Sequence, residues 1–286
     1  MTLFHSMTSV TIYTLVSVIL LISFGAGRQP FTVIWGFVRT LLTSRNVLFF
    51  FIGMLMILLL NKHELKLEEW IEAHYDLTSM IVGWEGSWQA WLQDAVQTPF
   101  VTQVSAFFYV VIFQSVLIAS IGIYAYQRNV KLIYAFSIAL LLNYLIALPF
   151  YVFVPVNEAW FANPQIKFLM LDAFPSFEKH YRELSGINNC FPSLHTSISL
   201  TMALLASQSG IRRWKIFVWI SAVIIIFSIF YLGIHWFTDM VAGVILAIVA
   251  TKIGLAVGTK LEQRLPDVNW LARFKSKNRA SRTMDS

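Results

Sequence analysis

Asn189-Cys190-Phe191-Pro192-Ser193-Leu194-His195-Thr196-Ser197 drops a polar cluster onto the first turn of an otherwise apolar stretch. Further along, Gly233-Ile234-His235-Trp236-Phe237-Thr238-Asp239 opens the next-but-one apolar segment. Two histidines and a carboxylate, each at the start of a hydrophobic run, place polar chemistry at helix ends of a membrane bundle. An ionisable group at such a position marks a functional site by default.

Composition sets the solvent. Of the 286 residues 57% are hydrophobic and 13% charged, with a mean hydropathy of +0.67. A water-soluble fold could not cover such a chain, so the expected class is an all-α polytopic membrane bundle. The length allows several spans of about 20 residues each. Cys190 is the one cysteine, so an intrachain disulfide is excluded. The net charge of +6 reads as membrane orientation and not as nucleic-acid affinity.

In chain order, residues 8–25 form an apolar run with no Lys or Arg before it, unlike the charged start of a signal peptide, and are expected as a retained span. Residues 28–45 space Arg28, Arg39 and Arg45 around Phe31, Ile34, Trp35, Val38 and Leu42, as suits an amphipathic helix lying in the interface. Residues 46–61 read as a short span. Between 62 and 99, acidic residues interleave with Trp70, Trp84, Trp88 and Trp91, which predicts short helices at headgroup level; a substrate-gating cap is the functional alternative. Further spans are expected at 100–126, 130–155, 193–209, 216–233 and 236–257, with Pro149 and Pro155 kinking or ending the second of these. A polar loop fills 157–192, and a basic tail runs from Lys260. The division is 1–99 for N-terminal spans and interfacial helices, 100–257 for the catalytic core, and 258–286 for the tail.

Lys and Arg concentrate in cytoplasmic loops. With the N-terminus outside, seven spans leave only Lys62, Lys66, Lys167, Lys179 and Arg182 outside and put the tail in the cytoplasm. Both histidine motifs then meet on the outer face.

The chemistry follows from this placement. Pro192 suits a first helical position, and the free N–H groups of the next turn, with the Ser193 hydroxyl, make an anion site. His235 and Asp239 are four residues apart, so on a helix they share a face. The carboxylate would fix one ring nitrogen and free the other to attack. His195, across the site, would protonate a leaving oxygen. The plainer alternatives are that Ser193 only caps its helix and that the histidines are interfacial polar residues. A zinc site would want a third protein ligand, so no metal is expected. Cys190 lacks a base paired with it by spacing and is expected to pack.

Cys190-Phe191-Pro192-Ser193-Leu194-His195-Thr196, and Ser228 through His235 to Asp239 followed by Gly243, resemble the second and third signatures of the type 2 phosphatidic acid phosphatase (PAP2) superfamily. The resemblance implies a phosphohistidine mechanism without metal or other cofactor, with His235 as nucleophile, Asp239 supporting it, and His195 assisting departure and hydrolysis. Two cations of the family pattern are missing: the Lys and Arg-Pro signature has no counterpart before residue 190, and Ile229 stands where an arginine usually follows the serine. The segment Asn188 through His195 is similar to the branch of inositol phosphorylceramide synthases, which transfer head groups. Loop cations would substitute for the missing ones, Arg182 first because a guanidinium clamps phosphate bidentately, then Lys179. The expected function is hydrolysis of a lipid phosphomonoester or pyrophosphate at a multi-pass protein of the cell membrane. Head-group transfer is the alternative, and a non-catalytic transporter or scaffold is a third. The expected partners are a phosphorylated lipid and the bilayer, with no nucleic acid; nothing in the sequence specifies an oligomeric state.

Overall fold

In the computed structural model, which describes residues 2–61, 75–182 and 186–265, the apolar runs become helices that start and stop at local caps. Helix α1 (Met7–Ala26) begins at Ser6, whose side chain accepts from the Ser9 N–H, and ends at left-handed Gly27. Pro30 opens α2 (Pro30–Thr43), and α3 (Arg45–Asn61) follows almost directly. Gly86 separates α4 (Thr78–Glu85) from α5 (Trp88–Val96). Thr98 caps α6 (Pro99–Tyr126) and Asn129 caps α7 (Val130–Phe153). Ser193 caps α8 (Leu194–Ala206), and α9 (Arg212–Tyr231) and α10 (Phe237–Arg264) complete the bundle. A side-chain cap of this kind is worth about 1 kcal/mol.

Helices α1, α6, α7, α9 and α10 are long and apolar enough to cross a membrane. Two further expected spans appear as shorter apolar helices, α3 and α8. Helix α8 stops at Ala206, short of the expected 209; its 13 residues rise only about 20 Å, less than the hydrocarbon core. Pro149 does not end α7, which continues to Phe153, while Pro155 lies just past it. Pro192 is not the first helical residue: Ser193 holds the cap position and the helix starts at Leu194, so Pro192 precedes the cap. The polar segment between α7 and α8 carries one-turn helices and a single parallel bridge, Val156 with Asn189, and the described residues contain no strand. Of the expected interfacial stretch 62–99, residues 62–74 lie outside the described residues, as does the tail beyond 265.

Helix α8 is enclosed by α7, α9 and α10. Large apolar side chains such as Leu20, Phe49, Val223 and Ile245 point outward, as a lipid-facing surface requires. Lipid tails are as apolar as leucine, so close backbone approach has to hold the helices together. Glycines on α10 provide it: a Cβ on Gly254 would stand 2.7 Å from the Ala135 carbonyl of α7, and one on Gly258 2.8 Å from the Lys131 carbonyl. Gly254→Leu is therefore expected to push α7 from α10 and destabilise the bundle by about 1–3 kcal/mol, measured by thermal unfolding in detergent.

Candidate active site

Two helix starts bring the histidine motifs together. The Ser193 N–H donates to the Asp239 carbonyl at 3.1 Å, so the cap of α8 is tied to the first turn of α10. A Cβ on Gly243, one turn further along α10, would come within 2.7 Å of the Ser193 carbonyl, which explains the glycine there. Tyr151 of α7 donates to the Pro192 carbonyl at 2.8 Å and fixes the approach to the cap. The Ser193 hydroxyl accepts from the Thr196 N–H at 3.2 Å. The N–H groups of Leu194 and His195 meet no partner among the described residues, as first-turn donors of a helix do unless a cap or ligand takes them.

His235 and Asp239 share a face, as their spacing predicts. His235 Nδ1 lies 3.3 Å from Asp239 Oδ2, which also accepts the Trp236 N–H at 2.9 Å. Both side chains are buried. With Nδ1 turned to the carboxylate, Nε2 is the nitrogen left for chemistry. The His195 ring stands with its centroid 6.2 Å from that of His235, and its own Nε2 is buried with no hydrogen-bond partner among the described residues. Asp239 Oδ1 is likewise without one. A tetrahedral group set between two rings at this separation could touch both within hydrogen-bond or attack distance.

The ring of His195 is held by stacking. Tyr109 lies on it at 3.9 Å and 15°, and Phe113 flanks it at 4.5 Å. Tyr109 sits in a π-helical turn, Phe108–Ile112, inside α6. Such turns widen a helix locally and recur at functional sites. Sequence reasoning missed this support, because a tyrosine in an apolar run has no distinguishing pattern.

The interfacial stretch was expected as headgroup-level helices, with a substrate-gating cap as the alternative; its described polar face grips the His235 turn. Glu85 accepts from the Phe237 and Thr238 N–H groups at 2.6 and 2.7 Å, capping α10 from outside the helix. The Gln89 amide donates to the His235 carbonyl at 2.8 Å, and the Gln93 amide to the Tyr231 carbonyl at 3.0 Å. Gln89 and Gln93 are fully buried. On the opposite side of the turn Gly233, at φ 79°, lets the chain pass the Lys167 carbonyl, which a Cβ would approach to 2.5 Å.

The loop cations behave differently from each other. Arg182 is held by Glu158 at 2.8 Å and by Glu178 at 2.6 Å. Burial works against its charge, but the hydrogen bonds and charges of Glu158 and Glu178 outweigh that and raise its pKa. Lys179 is exposed, and no hydrogen bond or ion pair joins it to another described residue. Among the described residues the ligand atoms that lie within 4.8 Å of one another are those of Cys190, His235 and Asp239, so Cys190, not His195, would complete a metal set. Burial, reinforced by the Asp239 and Glu158 charges, pushes the Cys190 thiol well up.

A helical membrane protein that gathers a buried His–Asp pair, a second histidine and a helix N-terminus at one end has the parts of a phosphate-handling site. The family model of the PAP2 superfamily matches residues 77–253, and the chain belongs to that superfamily. The match begins in the hairpin at 77, so the segment that grips the His235 turn falls inside the family region. No curated protein and no solved structure matches the chain.

Proposed function

We infer that the chain, a member of the PAP2 superfamily, carries phosphatase- or phosphotransferase-type chemistry in a membrane. We propose that it is a lipid phosphatase of the cell membrane, hydrolysing a lipid phosphomonoester or pyrophosphate at the extracytoplasmic face through a phosphohistidine. The observation that carries this is the pairing of His235 Nδ1 with Asp239 while His195, 6.2 Å away ring to ring, presents an unpartnered Nε2.

In the first step His235 Nε2 attacks phosphorus, the bond from phosphorus to the leaving oxygen breaks, and His195 protonates that oxygen. In the second, His195 takes a proton from water, the water oxygen bonds to phosphorus, and the phosphorus–nitrogen bond breaks to free His235. Asp239 keeps the His235 proton on Nδ1 and offsets the charge that develops on the ring. The Leu194 and His195 N–H groups at the start of α8 suit the phosphoryl oxygens. Ser193 shapes that turn as its cap. No step requires a metal, and the residues of the turn itself serve in place of the missing family cations; Lys179 is the loop cation left free to meet an incoming headgroup.

A second reading, transfer to another lipid alcohol as in inositol phosphorylceramide synthases, is favoured by the fully buried Ile229 where phosphatases of the family place an arginine. Purified protein in detergent, with chelator throughout, separates the readings. The expected result is phosphate release from at least one of phosphatidate, phosphatidylglycerol phosphate and prenyl pyrophosphate. Turnover that appears only with an added alcohol acceptor would move the assignment to transfer, and no turnover under either condition would reject both.

A further inference from the structure

At the end of the bundle opposite the histidines, helix α2 and the turn between α6 and α7 enclose a pocket of about 400 Å³ lined in part by Trp35, Gly36, Arg39, Thr43, Tyr126 and Arg128. That is the size of a small-molecule site. It is remote from the active site: from Tyr109 to Tyr126 the rise along α6 is on the order of 25 Å. No acidic residue is among the described residues that line it. The guanidinium groups of Arg39 and Arg128 have no hydrogen bond or ion pair with any described residue.

Its construction is specific. Helix α2 closes on α6 where Gly36 would place a Cβ 2.9 Å from the Tyr126 ring, and the Thr40 hydroxyl reaches the Ala125 carbonyl at 3.4 Å. Arg128 follows α6 at φ 55°, the position after a helix that glycine or asparagine normally occupies. A side chain is kept there against backbone strain, and strained non-glycine residues cluster where ligands are held. Beside the pocket, Phe31 and Trp35 are 81% and 66% exposed on a helix too short to span, which suits insertion among lipid headgroups.

We propose that this pocket binds the phosphate-bearing head group of an anionic phospholipid from the leaflet at that end. Arg39 and Arg128 pair with the phosphate, Thr43 and Tyr126 line the wall, and Trp35 rests at the level of the glycerol. Two guanidiniums and an aromatic facing the bilayer favour a lipid source over soluble phosphate, which would need no apolar rim. The site does not depend on the assigned reaction.

The test is native mass spectrometry of the purified full chain with added phosphatidylglycerol or phosphatidylcholine, in native form and as Arg39→Gln, Arg128→Gly and Arg45→Gln. Arg128→Gly relieves the strained backbone, so its melting temperature is expected to hold or rise while bound phosphatidylglycerol falls about tenfold. Arg39→Gln should fall similarly. Arg45→Gln, exposed at the start of α3 and outside the pocket, should match the native chain. Equal retention of phosphatidylcholine, an unaltered adduct in both pocket variants, or an equal loss in Arg45→Gln would overturn the proposal. Displacement by millimolar inorganic phosphate would assign the pocket to a soluble anion and overturn the lipid source.

Discussion

Replacing His235 by alanine is expected to lower phosphate release by about 10⁴-fold, because the attacking nitrogen disappears and water in a buried, largely apolar site is a poor substitute. The more informative comparison is with His195→Ala. That variant keeps the nucleophile and loses the proton donor and acceptor, an effect of about 10²–10⁴-fold. The two should therefore differ in what they accumulate. With a substrate labelled at phosphorus, His235→Ala should carry no label on protein, whereas His195→Ala, slowed at the water step, should carry an acid-labile, alkali-stable label. Asp239→Asn should retain part of the label while losing rate, since the ring nitrogen survives but its tautomer is no longer enforced. Label in His235→Ala, or unchanged turnover in that variant, would refute the assignment of the nucleophile.

The parts of this site differ in how they reach the sequence. His195, His235 and Asp239 were legible because charge and imidazole are scarce in an apolar chain, so each one asks for a reason. Their meeting follows from placement at helix starts on a common end, and the Ser193 N–H bond to the Asp239 carbonyl realises it. Five of the seven expected spans were legible because membranes constrain length, whereas α3 and α8 are shorter apolar helices, α8 because its cap and its C-terminus both lie inside the expected run. Tyr109, Gln89 and Gln93 were not legible as site supports. An aromatic in a span and an amide in an interfacial helix look identical whether they hold the His235 turn or face solvent; only long-range contacts such as Gln89 to the His235 carbonyl distinguish them. Pro192 misled on the helix start because a proline signals only that a helix begins nearby, and the serine after it makes the better cap.

Arg182 separates a recognition role from a structural one, and its two carboxylate partners decide which measurement to read. Glu158 is 5% exposed and Arg182 bonds both of its oxygens. Removing the guanidinium leaves a buried carboxylate without its counter-ion, a change that costs about 3–5 kcal/mol. Arg182→Met is thus expected to lower stability by roughly that amount in thermal or denaturant unfolding in detergent. The partner change Glu158→Gln is milder, because the amide still accepts from Arg182 and the guanidinium keeps Glu178. In the double variant Arg182→Met with Glu158→Gln, the buried charge is gone from both sides, and much of the lost stability should return. If the arginine also clamps substrate, KM in the double variant stays raised although the fold has recovered, since the residue that would meet phosphate is still missing. A strut gives recovery of both stability and KM. The geometry favours the strut: a guanidinium occupied by Glu158 and Glu178 would have to release at least one carboxylate before it could take a phosphate.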